Sequence, residues 1–194
     1  NSSKIMLNRR ILRIKAFKVL YSNAIAENMS LAQAQSQLDV ACEATRDLYI
    51  YMLAIVSPLT KIAKDRIESA RSKFNPTDEE LNPNMKFADN ALAKLLDADV
   101  DFQKILSKKK LSWDQYDIFL KKVMNSIASK EYYAEYMASP TSSLKEDCRL
   151  FTRIFEEEFV DSEDLERILE DKSLYWNDDL AYALTWCCKT LKSF

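Results

Sequence analysis

The 194-residue chain contains no glycine and no histidine. Without histidine it cannot build a Ser-His-Asp triad, a Cys–His dyad or an imidazole metal site from its own residues. Without glycine it has no P-loop, no G-x-G-x-x-G turn and no nucleophile elbow. The familiar routes to nucleotide binding and covalent catalysis are therefore closed. The expectation is a protein without enzymatic activity, without a cofactor or metal, and without a small-molecule substrate. Long apolar runs are missing too: none approaches the roughly 18–20 residues of a membrane span. The opening "NSSKIMLNRR" has no signal-peptide apolar centre, so a cytoplasmic protein with no membrane partner is expected.

Cysteine is sparse. Cys42, Cys148, Cys187 and Cys188 form no C-x-x-C pair, and with no histidine they do not complete a zinc site. Cys187 and Cys188 fall in the apolar stretch "AYALTWCCKTL", where buried reduced thiols are the expected outcome.

What is present is globular: 47% apolar and 30% charged residues. With 28 basic and 30 acidic residues the net charge is −2. No overall field attracts a polyanion, so any nucleic-acid site must be a local patch.

The absence of glycine, with only four prolines, favours helices over hairpins, whose turns usually require glycine. Periodicity agrees. Leu31, Ala34, Leu38, Ala41, Thr45, Leu48, Met52, Ile55, Leu59 and Ile62 recur at spacings of three and four. They predict one long helix from Leu31 to Phe74, capped by Ser30 and kinked near Ser57-Pro58. The loop "NPTDEELNPNMKF" follows, then helices over Phe87–Leu96 and Val100–Leu106. Ser112 is expected to cap a helix through Ala128 and Ser129 to cap "KEYYAEYM". Ser143 should open a helix with Leu144, Cys148, Phe151 and Phe155 on one stripe, Ser162 should cap "EDLERILEDK", and Asn177 should cap the last helix. The fold class is all-α: an irregular bundle of about eight or nine helices, with no fixed repeat period.

"NRRILRIKAFKVLY", residues 8–21, is the segment of interest. On a helical wheel Leu12, Ala16, Phe17, Val19, Leu20 and Ala24 share one broad arc. Lys15 and Lys18 fall opposite, where a solvated face is expected. Arg13 points into the apolar arc, with Arg9 and Arg10 on the same side. Arginine is rarely buried unless paired, and two readings follow. Arg13 snorkels or meets an acid, or the three arginines form a phosphate-binding cluster with Tyr21 beside it for a base. The basic tip Ser107–Lys110, "SKKK", reads by default as a charged loop end. Tyr132, Tyr133 and Tyr136, and Tyr175 with Trp176, are either core packing or a docking surface. Asp178 and Asp179 read as first-turn residues rather than an acid/base pair.

Residues 9–21 resemble the opening helix of the antitermination factor NusB family, R-R-x-x-R-x-x-A-x-x-x-L-Y, through Arg9, Arg10, Arg13, Ala16, Leu20 and Tyr21. "TDEELNPNMKFADN", "EYMAS" and "LEDKSLYWNDDL" resemble a longer form of that family with added helices. The resemblance implies an all-helical, non-catalytic protein that binds single-stranded boxA-type RNA of ribosomal leader transcripts. Its implied partners are NusE, a ribosomal protein, and the RNA polymerase antitermination complex. It assigns RNA contact to Arg9, Arg10 and Arg13, with Tyr21 next to them. It also divides the expected single helical domain, 1–194, into family-like helices over 1–74 and additional helices over 75–194. The family's C-terminal helices and F-V-N-G-V-L-D do not occur before "KTLKSF", so an N-terminal part of a NusB-like protein is expected. Two other readings stay open. One is a helical interaction module docking a ribosomal or polymerase-associated protein, with its arginines salt-bridged. The other is an RNA-binding accessory domain of an rRNA methyltransferase whose catalytic part lies beyond residue 194.

Overall fold

The computed structural model describes residues 7–26, 29–176 and 178–194. Among them the chain is all-helical. In order run α1 (Arg9–Ala26), α2 (Leu31–Leu53), α3 (Val56–Arg71), the single turn α4 (Asp78–Leu81), α5 (Ala91–Ala98) and α6 (Val100–Lys109). Then come α7 (Asp117–Ala128), α8 (Glu131–Ala138), α9 (Leu144–Ile154), α10 (Glu163–Lys172) and α11 (Leu180–Lys192). A 3-10 turn precedes α7, and a π-helical turn over Phe155–Phe159 continues α9. No helix among the described residues is long and apolar enough to cross a membrane.

Local hydrogen bonding explains most of the helix starts. The Ser30 hydroxyl accepts from the Gln33 N–H while the Gln33 side chain accepts from the Ser30 N–H, a reciprocal box that opens α2. Ser143 and Ser162 cap α9 and α10 as expected. Ser129 does not cap α8: its hydroxyl donates back to the Ser126 carbonyl at 2.7 Å, closing α7 instead. The Ser112 hydroxyl accepts from the Asp114 N–H at 3.1 Å, and a 3-10 turn comes before α7. Asn90, not a residue near Phe87, starts α5, its side chain accepting from the Ala93 N–H at 3.1 Å. The expected Asn177 cap lies outside the described residues.

The long helix expected from Leu31 to Phe74 is two helices, broken at Ala54 and Ile55. Pro58 has no N–H to give the Ala54 carbonyl four residues back, so the α2 ladder ends there. Pro58 then occupies the first turn of α3, where a missing donor costs little.

The core is one contiguous cluster. Leu48, Tyr51 and Met52 of α2 meet Ile55 and Leu59, then Phe151, Phe155 and Phe159, and Ala183, Leu184, Cys187 and Leu191 of α11. Tyr51 stacks on Trp113 at 4.2 Å between ring centroids and on Trp176 at 5.4 Å. Each indole N–H has a carbonyl acceptor, Tyr51 O for Trp113 and Ala44 O for Trp176, both at 2.9 Å. Satisfied indoles are what permit tryptophan at these depths. Tyr136 and Trp176 are therefore core residues, Tyr132 and Tyr133 pack against the core, and Tyr175 is exposed. No described side chain of α1 belongs to the cluster. That helix lies along α2, outside the main apolar core.

Candidate nucleic-acid interface

Because α1 lies outside the core, something else must hold it. Its start is fixed by Asn8: the side-chain oxygen accepts from the Ile11 N–H at 2.9 Å, and the Asn8 N–H donates to the Tyr182 hydroxyl of α11 at 3.2 Å. Midway along, Lys15 Nζ donates to Asp179 Oδ2 at 2.6 Å, with side-chain exposures of 7% and 9%. The Thr45 hydroxyl lies 2.6 Å from the same carboxylate oxygen and 3.1 Å from the Ala41 carbonyl. It has one proton for two acceptors, and the carboxylate is the stronger. One turn on, the more exposed Lys18 pairs with Asp178. Burial pushes the nearby Cys42 thiol up, while the Lys15 charge pulls it down.

This inverts the helical-wheel reading of α1. Lys15 was expected on the solvated face and is buried; Lys18 is ion-paired. The arc that holds most of the large apolar residues faces outward: Phe17, Leu20, Tyr21 and Ile25 are 68%, 59%, 60% and 66% exposed. The wheel angles are correct, but the buried side is chosen by acids that the wheel does not contain. Asp178 and Asp179 are not first-turn residues of α11, which begins at Leu180; they receive the α1 lysines, and Asp179 occupies the cap position without a side-chain cap bond.

Arg9, Arg10 and Arg13 are all exposed, and none joins a salt bridge among the described residues. They are thus not snorkelled into the core, and no carboxylate among the described residues pairs with them. Four residues beyond Arg13, Phe17 stacks on Tyr21, with ring centroids 6.2 Å apart and planes 18° from parallel. The arginines occupy the N-terminal half of the outward face and the two rings its C-terminal half. Arg9, Arg10, Arg13 and Tyr21, the residues singled out in the sequence, all lie exposed on this helix. The stacking of Phe17 on Tyr21 was not foreseen, although an i, i+4 aromatic pair is legible in sequence.

The tip of α6 is less free than its sequence suggests. Lys109 pairs with Glu43 and with Asp47 of α2, the latter at 3.3 Å, and these carboxylates hold its ammonium above the ordinary lysine range. Lys110 closes the helix in the left-handed region, with φ of 53°. No cluster of acidic or cysteine side chains among the described residues could hold a metal ion.

A cleft of about 580 Å³ opens between α1, α2 and the segment leading into α11. Its apolar wall includes Ile14, Leu174 and Tyr175, and its floor includes the Lys15–Asp179 pair. Comparison with protein-family models, curated proteins and solved structures yields no match for this chain.

Proposed function

We propose that this chain is a non-enzymatic RNA-binding module of transcription antitermination, taking single-stranded boxA-type leader RNA together with NusE. The observation that carries the RNA part is the face of α1. Three solvent-facing guanidiniums, without a salt bridge among the described residues, adjoin a stacked aromatic pair. Guanidiniums bind phosphate oxygens through paired N–H groups. Aromatic faces take unstacked bases, the usual mode of single-strand recognition. The antitermination context, NusE and the polymerase complex come from the resemblance of residues 9–21 and of the three later segments to the NusB family. Phosphate contacts of this number give weak, salt-dependent binding, and in this reading NusE supplies the rest.

The test is fluorescence anisotropy of a labelled boxA-type RNA against the chain and its Arg9→Ala/Arg10→Ala/Arg13→Ala variant. Weaker binding with unchanged helicity is expected. Equal affinity at low salt would refute the RNA role.

A second reading, a protein-docking module, is favoured by the exposed apolar half of α1, where Phe17, Leu20 and Ile25 lie open. In that case NusE binds the chain without RNA, and the arginine variant leaves RNA binding unaffected.

A further inference from the structure

The cleft beside α1 has the chemistry of a nucleobase site, and we propose that it holds one unpaired base of the strand whose phosphates the α1 arginines neutralise. This rests on the RNA-binding reading above.

Leu174 and Tyr175 form its lip at 87% and 49% exposure. They are large apolar side chains left open while Trp176 beside them is buried. Ile14 of α1 lines the same cleft, and Arg10 lies one helical turn before Ile14 on the same side of that helix. A strand whose phosphate meets Arg10 therefore has an apolar slot within one turn.

Two uncommitted polar groups line the same cleft, the Gln37 amide and the Ser22 hydroxyl. Neither has a hydrogen-bond partner among the described residues. An amide offers a donor and an acceptor side by side, which matches the paired groups on a base edge. The charges in the cleft are already neutralised as Lys15–Asp179 and Lys18–Asp178. The slot therefore accepts a neutral, flat, polar-edged group while the phosphates stay outside on the arginines. A free phosphate or an acidic peptide would instead need unpaired cations within the cleft. The volume suits one base with part of its sugar and lies within the range of small-ligand sites.

The experiment compares Tyr175→Ala, Gln37→Ala and the triple arginine variant in anisotropy titrations with two labelled RNAs of equal length, a boxA-type sequence and a homopolymer. Circular dichroism monitors folding; both cleft positions are exposed, and Gln37 lies on α2 while Tyr175 lies in the turn between α10 and α11. The triple arginine variant should lose affinity for both RNAs. Tyr175→Ala should weaken the boxA-type RNA about tenfold, the scale of one lost stacking contact, with an unchanged salt dependence. Gln37→Ala should narrow the preference between the two RNAs. If both cleft variants bind like the parent while the arginine variant is impaired, the base site is overturned, RNA binding stands, and the open lip belongs to a protein contact. If the parent chain binds neither RNA at low salt, both readings fall together.

Discussion

Lys15 and Asp179 lie 164 residues apart in sequence and meet at 2.6 Å in a nearly dry contact. This pair, not apolar packing alone, sets which side of α1 faces the protein. A buried ion pair gives little net stability over an apolar substitute, yet breaking it strands a charge. It therefore determines orientation: turned the other way, α1 would leave Asp179 buried without a cation.

Lys15→Met should destabilise the fold by about 3–5 kcal/mol, because Asp179 stays buried and uncompensated. Lys15→Met with Asp179→Leu should recover much of that loss. Urea unfolding of the single and double variants measures the difference, and an undamaged single variant would contradict this role.

Lys18→Ala should cost less than about 1 kcal/mol, since its pair with Asp178 is solvent-exposed and screened. The contrast between two lysines three residues apart is readable in the same denaturation series.

Burial raises the thiols of the core cysteines: Cys148 is pushed up to about 11, and Cys187 and Cys188 are also raised. They stay protonated near neutrality, and the thiolate is the reactive form. In a native-state thiol-labelling assay Cys148, Cys187 and Cys188 should react only as the protein unfolds. Cys42, half-buried, should label first.

Lys86, itself nearly buried, holds Glu146 below the ordinary carboxylate value. A depressed folded-state pKa gives stability that is present above the unfolded value near 4.5 and lost as pH falls through the folded one. Glu146→Gln should therefore be less stable at neutral pH and show a flatter acid limb below about pH 4.5. Thermal melts from neutral to acid pH follow the two curves, and parallel acid limbs would exclude the pair as a source of pH dependence.

Trp113→Ala should destabilise by about 3–5 kcal/mol. It removes the ring stacked on Tyr51 and leaves the Tyr51 carbonyl without its donor. Trp113→Phe should recover part of the loss.

Helix starts were readable where the capping bond spans three residues, as at Ser30, Ser143 and Ser162. The reading failed at Ser129 because two helices compete for one hydroxyl, and α7 takes it. It failed at Pro58 by three residues because the proline acts on the carbonyl four positions earlier. Of the candidate site, Arg9, Arg10, Arg13 and Tyr21 were visible as residue types at helical spacing. Their exposure was not, since the wheel placed Arg13 in an arc that looked like a buried face. The cleft was invisible, because its walls come from α1, α2 and Leu174, Tyr175, Asp178 and Asp179.

The sequence alone determined an all-helical chain, because a glycine-free, amphipathic pattern with local caps leaves little alternative. It also determined the row of arginines and aromatics on one helix. Tertiary structure decided which side of that helix faces solvent. The deciding partners, Thr45 and Asp179, lie 30 and 164 positions from Lys15, and no periodicity within α1 encodes a charge that arrives from the far end of the chain.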